Sequence, residues 1–96
     1  MQEEKINLIN FISKKYTYHI LKCLETGEKR FKDLREGCEG EKMRVQRLRE
    51  LESSGLIYVG VRRVGRRPVS FYSLSENGKT ILKLFDELKK QMRTVD

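Results

Sequence analysis

The chain has 96 residues, a formal net charge of +7 and a sequence pI of about 9.6. That length suits one domain, 1–96, and no stretch approaches the roughly 18 apolar residues of a membrane span. Cys23 and Cys38 are too few for a disulfide framework and lack metal-ligand spacing, while His19 has no nucleophile or carboxylate arranged about it, so neither an enzyme nor a cofactor is expected.

Met1-Gln2-Glu3-Glu4 is acidic where a secretory signal is basic, and a cytoplasmic protein is expected. Ile6, Leu8, Ile9, Phe11 and Ile12 predict a first helix over 3–13. A second covers 16–25, with Ile20, Leu21 and Leu24 at core spacing and Gly27 where a C-terminal cap belongs. A short extended piece at Lys29-Arg30 precedes a brief helix over 31–36, in which Phe31 and Leu34 face inward. A fourth helix runs from Glu41 into the stop signal Ser53-Ser54-Gly55. The period then changes to two: Ile57, Val59 and Val61 alternate with Tyr58, Gly60 and Arg62, and a returning strand spans 69–74. The four residues 65–68 are expected as the loop, with Pro68 at the strand edge. Ser75 is a good N-cap for a last helix over 76–93.

Charge is concentrated on the hairpin. Residues 55–74 carry Arg62, Arg63, Arg66 and Arg67 with no acid among them, which is more than half of the net +7. Arginine forks pair bidentately with phosphate, so the finger suits a nucleic-acid backbone, with Arg66 and Arg67 at the tip best placed. Arginines at an exposed edge also deter strand-to-strand aggregation, but lysines or mixed signs would serve that end equally. In projection, Val45, Leu48 and Leu51 of the fourth helix face the core. Its early outward residues are Lys42, Met43, Gln46 and Arg47, with Arg44 at the boundary. Such a helix suits the major groove: Arg47 toward guanine, Gln46 toward adenine, Met43 toward a thymine methyl, and Lys42, Arg44 and Arg49 on phosphates. A solvated charged face is the ordinary alternative for this helix alone.

Ile81, Phe85, Leu88 and Met92 space a seam on the last helix. With Ile6 and Ile9 of the first helix they are expected to form a homodimer interface. Cys38 lies in the turn before the fourth helix, where Lys42 and the helix N-terminus would favour a reactive thiolate, a possible redox site. Cys23 lies near a core stripe.

Three stretches carry a family resemblance. Lys15-Tyr16-Thr17, Ile20-Leu21, Gly27 and Arg30-Phe31-Lys32-Asp33-Leu34 form the first, and Leu48-Arg49-Glu50-Leu51-Glu52-Ser53-Ser54-Gly55-Leu56-Ile57 the second. The third is Pro68-Val69 with Tyr72-Ser73-Leu74-Ser75 and Gly78. Together they resemble HxlR-type winged-helix transcriptional regulators, similar to the MarR- and ArsR-like proteins, over about residues 14–85. The resemblance implies a homodimeric DNA-binding regulator whose N- and C-terminal helices make the dimer. The expected fold is mainly α with a small antiparallel β-hairpin, a winged helix-turn-helix ordered α-α-α-α-β-β-α. The expected partners are double-stranded DNA and a second copy of the chain, with no membrane. A winged-helix module for protein assembly or non-specific nucleic-acid packaging is the alternative.

Overall fold

A computed structural model of the chain describes residues 14–95, with side chains as far as Met92. The helix expected over 3–13 lies outside these residues, and with it Ile6 and Ile9. Helix α1 spans Thr17–Cys23 and runs into a 3-10 turn, Leu24–Thr26. Strand β1, Lys29–Arg30, leads into a second 3-10 turn, Phe31–Glu36, and then helix α2, Glu41–Ser53. Strands β2, Ile57–Val64, and β3, Arg67–Leu74, form the hairpin, and helix α3 covers Glu76–Val95. The result is a winged helix, mainly helical, with a three-stranded antiparallel sheet ordered β1-β3-β2.

Three local expectations are revised. The second helix tightens into a 3-10 turn after Cys23, and Gly27 follows it at φ 138. The brief helix over 31–36 is 3-10 throughout, closed at its start by the Arg30 N–H donating to Asp33 Oδ2 at 3.2 Å. The hairpin loop is two residues long, not four, because Gly65 takes φ 66 and lets Val64 pair directly with Arg67. Pro68 therefore lies inside β3, opposite Arg63, on a stretch that β1 does not reach and where a residue without an N–H is tolerated.

The junction between α2 and the hairpin explains why two of the sequence motifs occur together. Gly55, at φ 78, donates its N–H to Glu52, and Leu56 donates to Leu51, the double bond pattern that closes a helix on a left-handed residue. Leu51 and Leu56 are both buried against each other's turn. Ser75 then grips this junction: its N–H donates to the Leu56 carbonyl at 3.1 Å and its hydroxyl to the Gly55 carbonyl at 2.6 Å. The same hydroxyl accepts the Gly78 N–H at 3.0 Å, capping α3. Ile20, Leu21, Leu24, Leu34, Leu48, Leu51, Leu56, Ile57 and Leu82 pack as one buried cluster beneath α2 and the sheet.

Candidate nucleic-acid interface

Helix α2 buries Leu48 and Leu51 as its period requires, but Val45 is only half-buried and two arginines turn inward. Arg44 and Arg47 are 3% and 6% exposed, which corrects the expectation that Arg47 lies on the outward face and Arg44 at its boundary, both free to meet DNA. Arg44 donates from Nη1 to the Cys38 carbonyl at 3.1 Å and lies over the Phe31 ring, 4.3 Å from its centroid. Arg47 donates from Nε to the Lys15 carbonyl at 3.1 Å, from Nη1 to Glu50 Oε1, and from Nη2 to Met43 Sδ at 3.2 Å. Burying an arginine costs least when its donors are met or its planar head stacks. Arg47 meets the first condition, while Arg44 stacks on Phe31 but leaves its Nε buried without a hydrogen-bond partner among the described residues. Sequence projection places charge outward by default and does not see such partners. Burial pushes the Glu50 carboxyl up, but hydrogen bonds from Lys14 and Arg47 outweigh it and hold the group below its usual range.

The exposed residues of α2 are Glu41, Lys42, Met43, Gln46, Arg49, Glu52 and Ser53. Lys42 and Gln46 border a shallow depression along the helix together with Val45, Arg49 and the acids Glu41 and Glu50. Val45 and Arg49 also border a groove between α2 and the hairpin, whose other wall includes Arg67, Pro68 and Tyr72. The two depressions thus share an edge, and the helix face continues into the wing without a break. Lys32, from the turn before α2, adds a cation to the groove, and Glu52 is the acid within it. The sequence reading missed Lys32, whose only signal is its place in the Arg30–Leu34 stretch.

The hairpin arginines divide between its two faces. Neighbours on a pleated strand point oppositely, so Arg63 and Arg62 cannot share a face. Arg63 falls on the face of Val59 and Tyr72, which line the groove. Arg62 falls on the other, 3.8 Å from the Phe71 ring centroid, with Nη2 2.5 Å from Glu28 Oε1. The hairpin read as free of acid in sequence therefore receives one from the chain before β1. Arg66 and Arg67 are exposed at the tip.

Helix α2, a groove and a basic β-finger lie along one surface, as in a winged helix. A model of the HxlR-like helix-turn-helix matches residues 11–95. The chain belongs to the HxlR-like helix-turn-helix family. Comparison with curated protein sequences gives no match. Among solved structures, the diamide-treated YodB from B. subtilis is similar at 26% identity and TM-score 0.78, over 92% of this chain and 88% of that one. The redox regulator HypR in its reduced form is 28% identical at TM-score 0.76, over 96% of this chain and 95% of that one. A putative HTH-type transcriptional regulator, ytcD, is 33% identical at TM-score 0.75, over 86% of each chain. Family and neighbours are transcriptional regulators, and they support a DNA-binding regulator here.

Other candidate residues of this HxlR-like chain take less expected places. Cys38 is 1% exposed, its Sγ 3.8 Å from the Gly40 carbonyl, so the thiol is shielded by the turn in which a reactive group was expected. On α3, Ile81 and Phe85 are half-buried against the chain's own cluster. Leu88 and Met92 are 59% and 64% exposed, and Leu84, also 59% exposed, continues their row. Among the described residues no group of His, Cys, Asp and Glu is placed to hold a metal ion, and no helix is long and apolar enough to cross a membrane.

Proposed function

We propose that the chain is a sequence-specific double-stranded DNA-binding transcriptional regulator acting as a homodimer. Helix α2 enters the major groove, and the wing lies on the flanking backbone or minor groove. The observation that carries this reading is the shared edge at Val45 and Arg49, which joins the Lys42–Gln46 face to a groove where Arg30, Lys32 and Arg67 outnumber the one acid among the described residues, Glu52. Gln46 reads adenine bidentately, Met43 meets a thymine methyl, and Lys42, Arg49, Arg63, Arg66 and Arg67 engage phosphates. Arg44 and Arg47 are withdrawn from the contact set, because both are buried within the protein. The row Leu84, Leu88 and Met92, with residues 81 and 85, makes the two-fold interface, and Ile6 and Ile9 are proposed to join it.

Selection of bound duplexes from a random pool at physiological ionic strength tests the proposal. A two-fold motif with half-sites about one helical turn apart is expected. Binding that falls uniformly with salt and enriches no motif would instead mean packaging, and absence of duplex binding would remove DNA from the reading altogether.

A further inference from the structure

The interior set around Arg47 has a consequence for how the recognition helix is held. Three acceptors converge on this guanidinium: the Lys15 carbonyl before α1, and, from α2 itself, Glu50 one turn further along and the thioether of Met43. Glu50 in turn accepts from Lys14 Nζ at 3.2 Å, so the Arg47–Glu50 pair meets the segment before α1 at two points, Lys14 and the Lys15 carbonyl. Tyr16, inside that segment, is the only non-glycine residue of positive φ among those described, at φ 74. A tyrosine in the left-handed region is held there by its surroundings, and the Arg47–Lys15 hydrogen bond lies directly beside it.

We propose that Arg47 and Glu50 form a clasp that fixes the orientation of α2 against the 14–16 segment, making Arg47 a positioning residue for base recognition. The proposal rests on the DNA-binding reading above and adds how specificity is built. The clasp sets two things at once. It fixes the rotation of α2 about its axis, because Arg47 is anchored to backbone outside the helix. It also holds Met43, 37% exposed, in one rotamer at the surface where a base edge would lie. Exposed ion pairs contribute little, but Arg47's side chain is 7% and Glu50's 29% exposed, so removing one partner strands the other in a poorly solvated place.

Charge alone makes the opposite forecast. Glu50 borders the depression that Lys42 and Gln46 line, so Glu50→Gln removes an anion from a surface facing polyanion and should tighten all duplex binding. The clasp forecasts a loss of discrimination. The experiment compares wild type, Glu50→Gln, Arg47→Lys, Arg47→Met and the Arg47→Met/Glu50→Gln pair. Each is measured against a duplex recovered by selection and a shuffled duplex of equal length, at several salt concentrations. Amide hydrogen exchange is followed without DNA.

The expected result is a drop of roughly tenfold or more in the ratio of selected to shuffled affinity for Glu50→Gln and Arg47→Met. The double variant should lose little beyond either single one, and the salt slope should stay as in wild type. Exchange should quicken at residues 14–17 and in the first turns of α2. If Glu50→Gln keeps or raises the ratio while Arg47→Met lowers the salt slope by about 1, Arg47 contacts DNA directly and the clasp is overturned. If exchange at 14–17 and in α2 is unchanged in every variant, it is overturned without reference to DNA. Should the wild type itself prefer no duplex, the recognition reading fails, and exchange still decides the clasp. Glu50→Gln and Arg47→Lys keep the test open where Arg47→Met does not fold.

Discussion

Arginine is the residue on which reading and structure differ most, and the difference is physical. The hairpin arginines share one sign and one short stretch, yet Arg62 is occupied by Glu28 and Phe71 whereas Arg66 and Arg67 are exposed with no such partner among the described contacts. Arg66→Ala combined with Arg67→Ala should therefore weaken binding similarly on all duplexes and lower the log–log salt slope by roughly 1 per lost phosphate contact. Arg62→Ala should leave the slope in place. A slope lowered equally by Arg62→Ala would mean that its contacts to Glu28 and Phe71 give way to phosphate. The Arg47–Glu50 spacing of three is a helical pair that sequence does show. The Arg62–Glu28 pair, 34 residues apart, appears only once β1 is placed beside β3. The thiols differ in the same way. Burial, with Glu36 nearby, pushes the Cys23 thiol up, and Cys38 is more enclosed still. In the folded protein a thiol reagent should modify Cys23 before Cys38, and both only slowly; rapid labelling of Cys38 would restore it as a candidate switch.

Elements with a clean period were legible, and their joints were not. The α2 boundaries and the start of the hairpin agree with the spacing of Leu48, Leu51, Ile57 and Val59, because each buries one face against the same cluster; the hairpin's turn end does not. Beyond Val59 the alternation loses its meaning: Val61 is 65% exposed where the strand leaves the body, although the sequence pattern continues unchanged. The site was legible as a face of α2 plus a basic finger; which arginines of that face point inward was not. β1 was read as merely extended, since two residues carry no period of their own and acquire a strand's geometry from β3. Gly78 gives a sharper test of a joint. In an ordinary helix Gly→Ala stabilises by up to about 1 kcal/mol. Here a Cβ at 78 would lie 2.0 Å from the Leu56 carbonyl oxygen, a backbone atom that cannot swing aside. Gly78→Ala should destabilise by roughly 1–3 kcal/mol, read as a lower thermal midpoint. A midpoint raised by the alanine would contradict the close approach of α3 to the end of α2.

Helices α1 and α3 are joined by a clamp from which an acid-sensitive stability is expected. Tyr18 Oη donates to Asp86 Oδ1 at 2.9 Å, Lys22 Nζ lies 3.2 Å from Oδ2, and Phe85 meets the Tyr18 ring edge-on. The Tyr18 hydroxyl, and then the Lys22 and Lys89 ammonium groups, hold the Asp86 carboxyl below its ordinary range against the effect of burial. Glu50 is held low as well. A carboxyl with a depressed folded value adds stability in full above its unfolded value, about 4, and loses it as pH falls through the folded one. Thermal midpoints should fall below about pH 4, and Asp86→Asn should flatten that decline; an acid limb of unchanged slope would exclude Asp86 as a contributor. The clamp also fixes where α3 presents Leu84, Leu88 and Met92. Leu88→Glu should shift sedimentation toward the monomer mass and weaken binding to a two-fold site far more than to a single half-site.

The two-residue turn at Gly65 and Arg66 makes the finger a ruler. With no slack at its end, the distance from α2 to the arginines is set by how many rungs the β2–β3 ladder holds. Adding two residues to each strand preserves which side chain faces which way and lengthens the ladder by about 7 Å, near two base-pair steps. The protected footprint on DNA should then grow outward by about that amount on each flank, with the central motif unaltered.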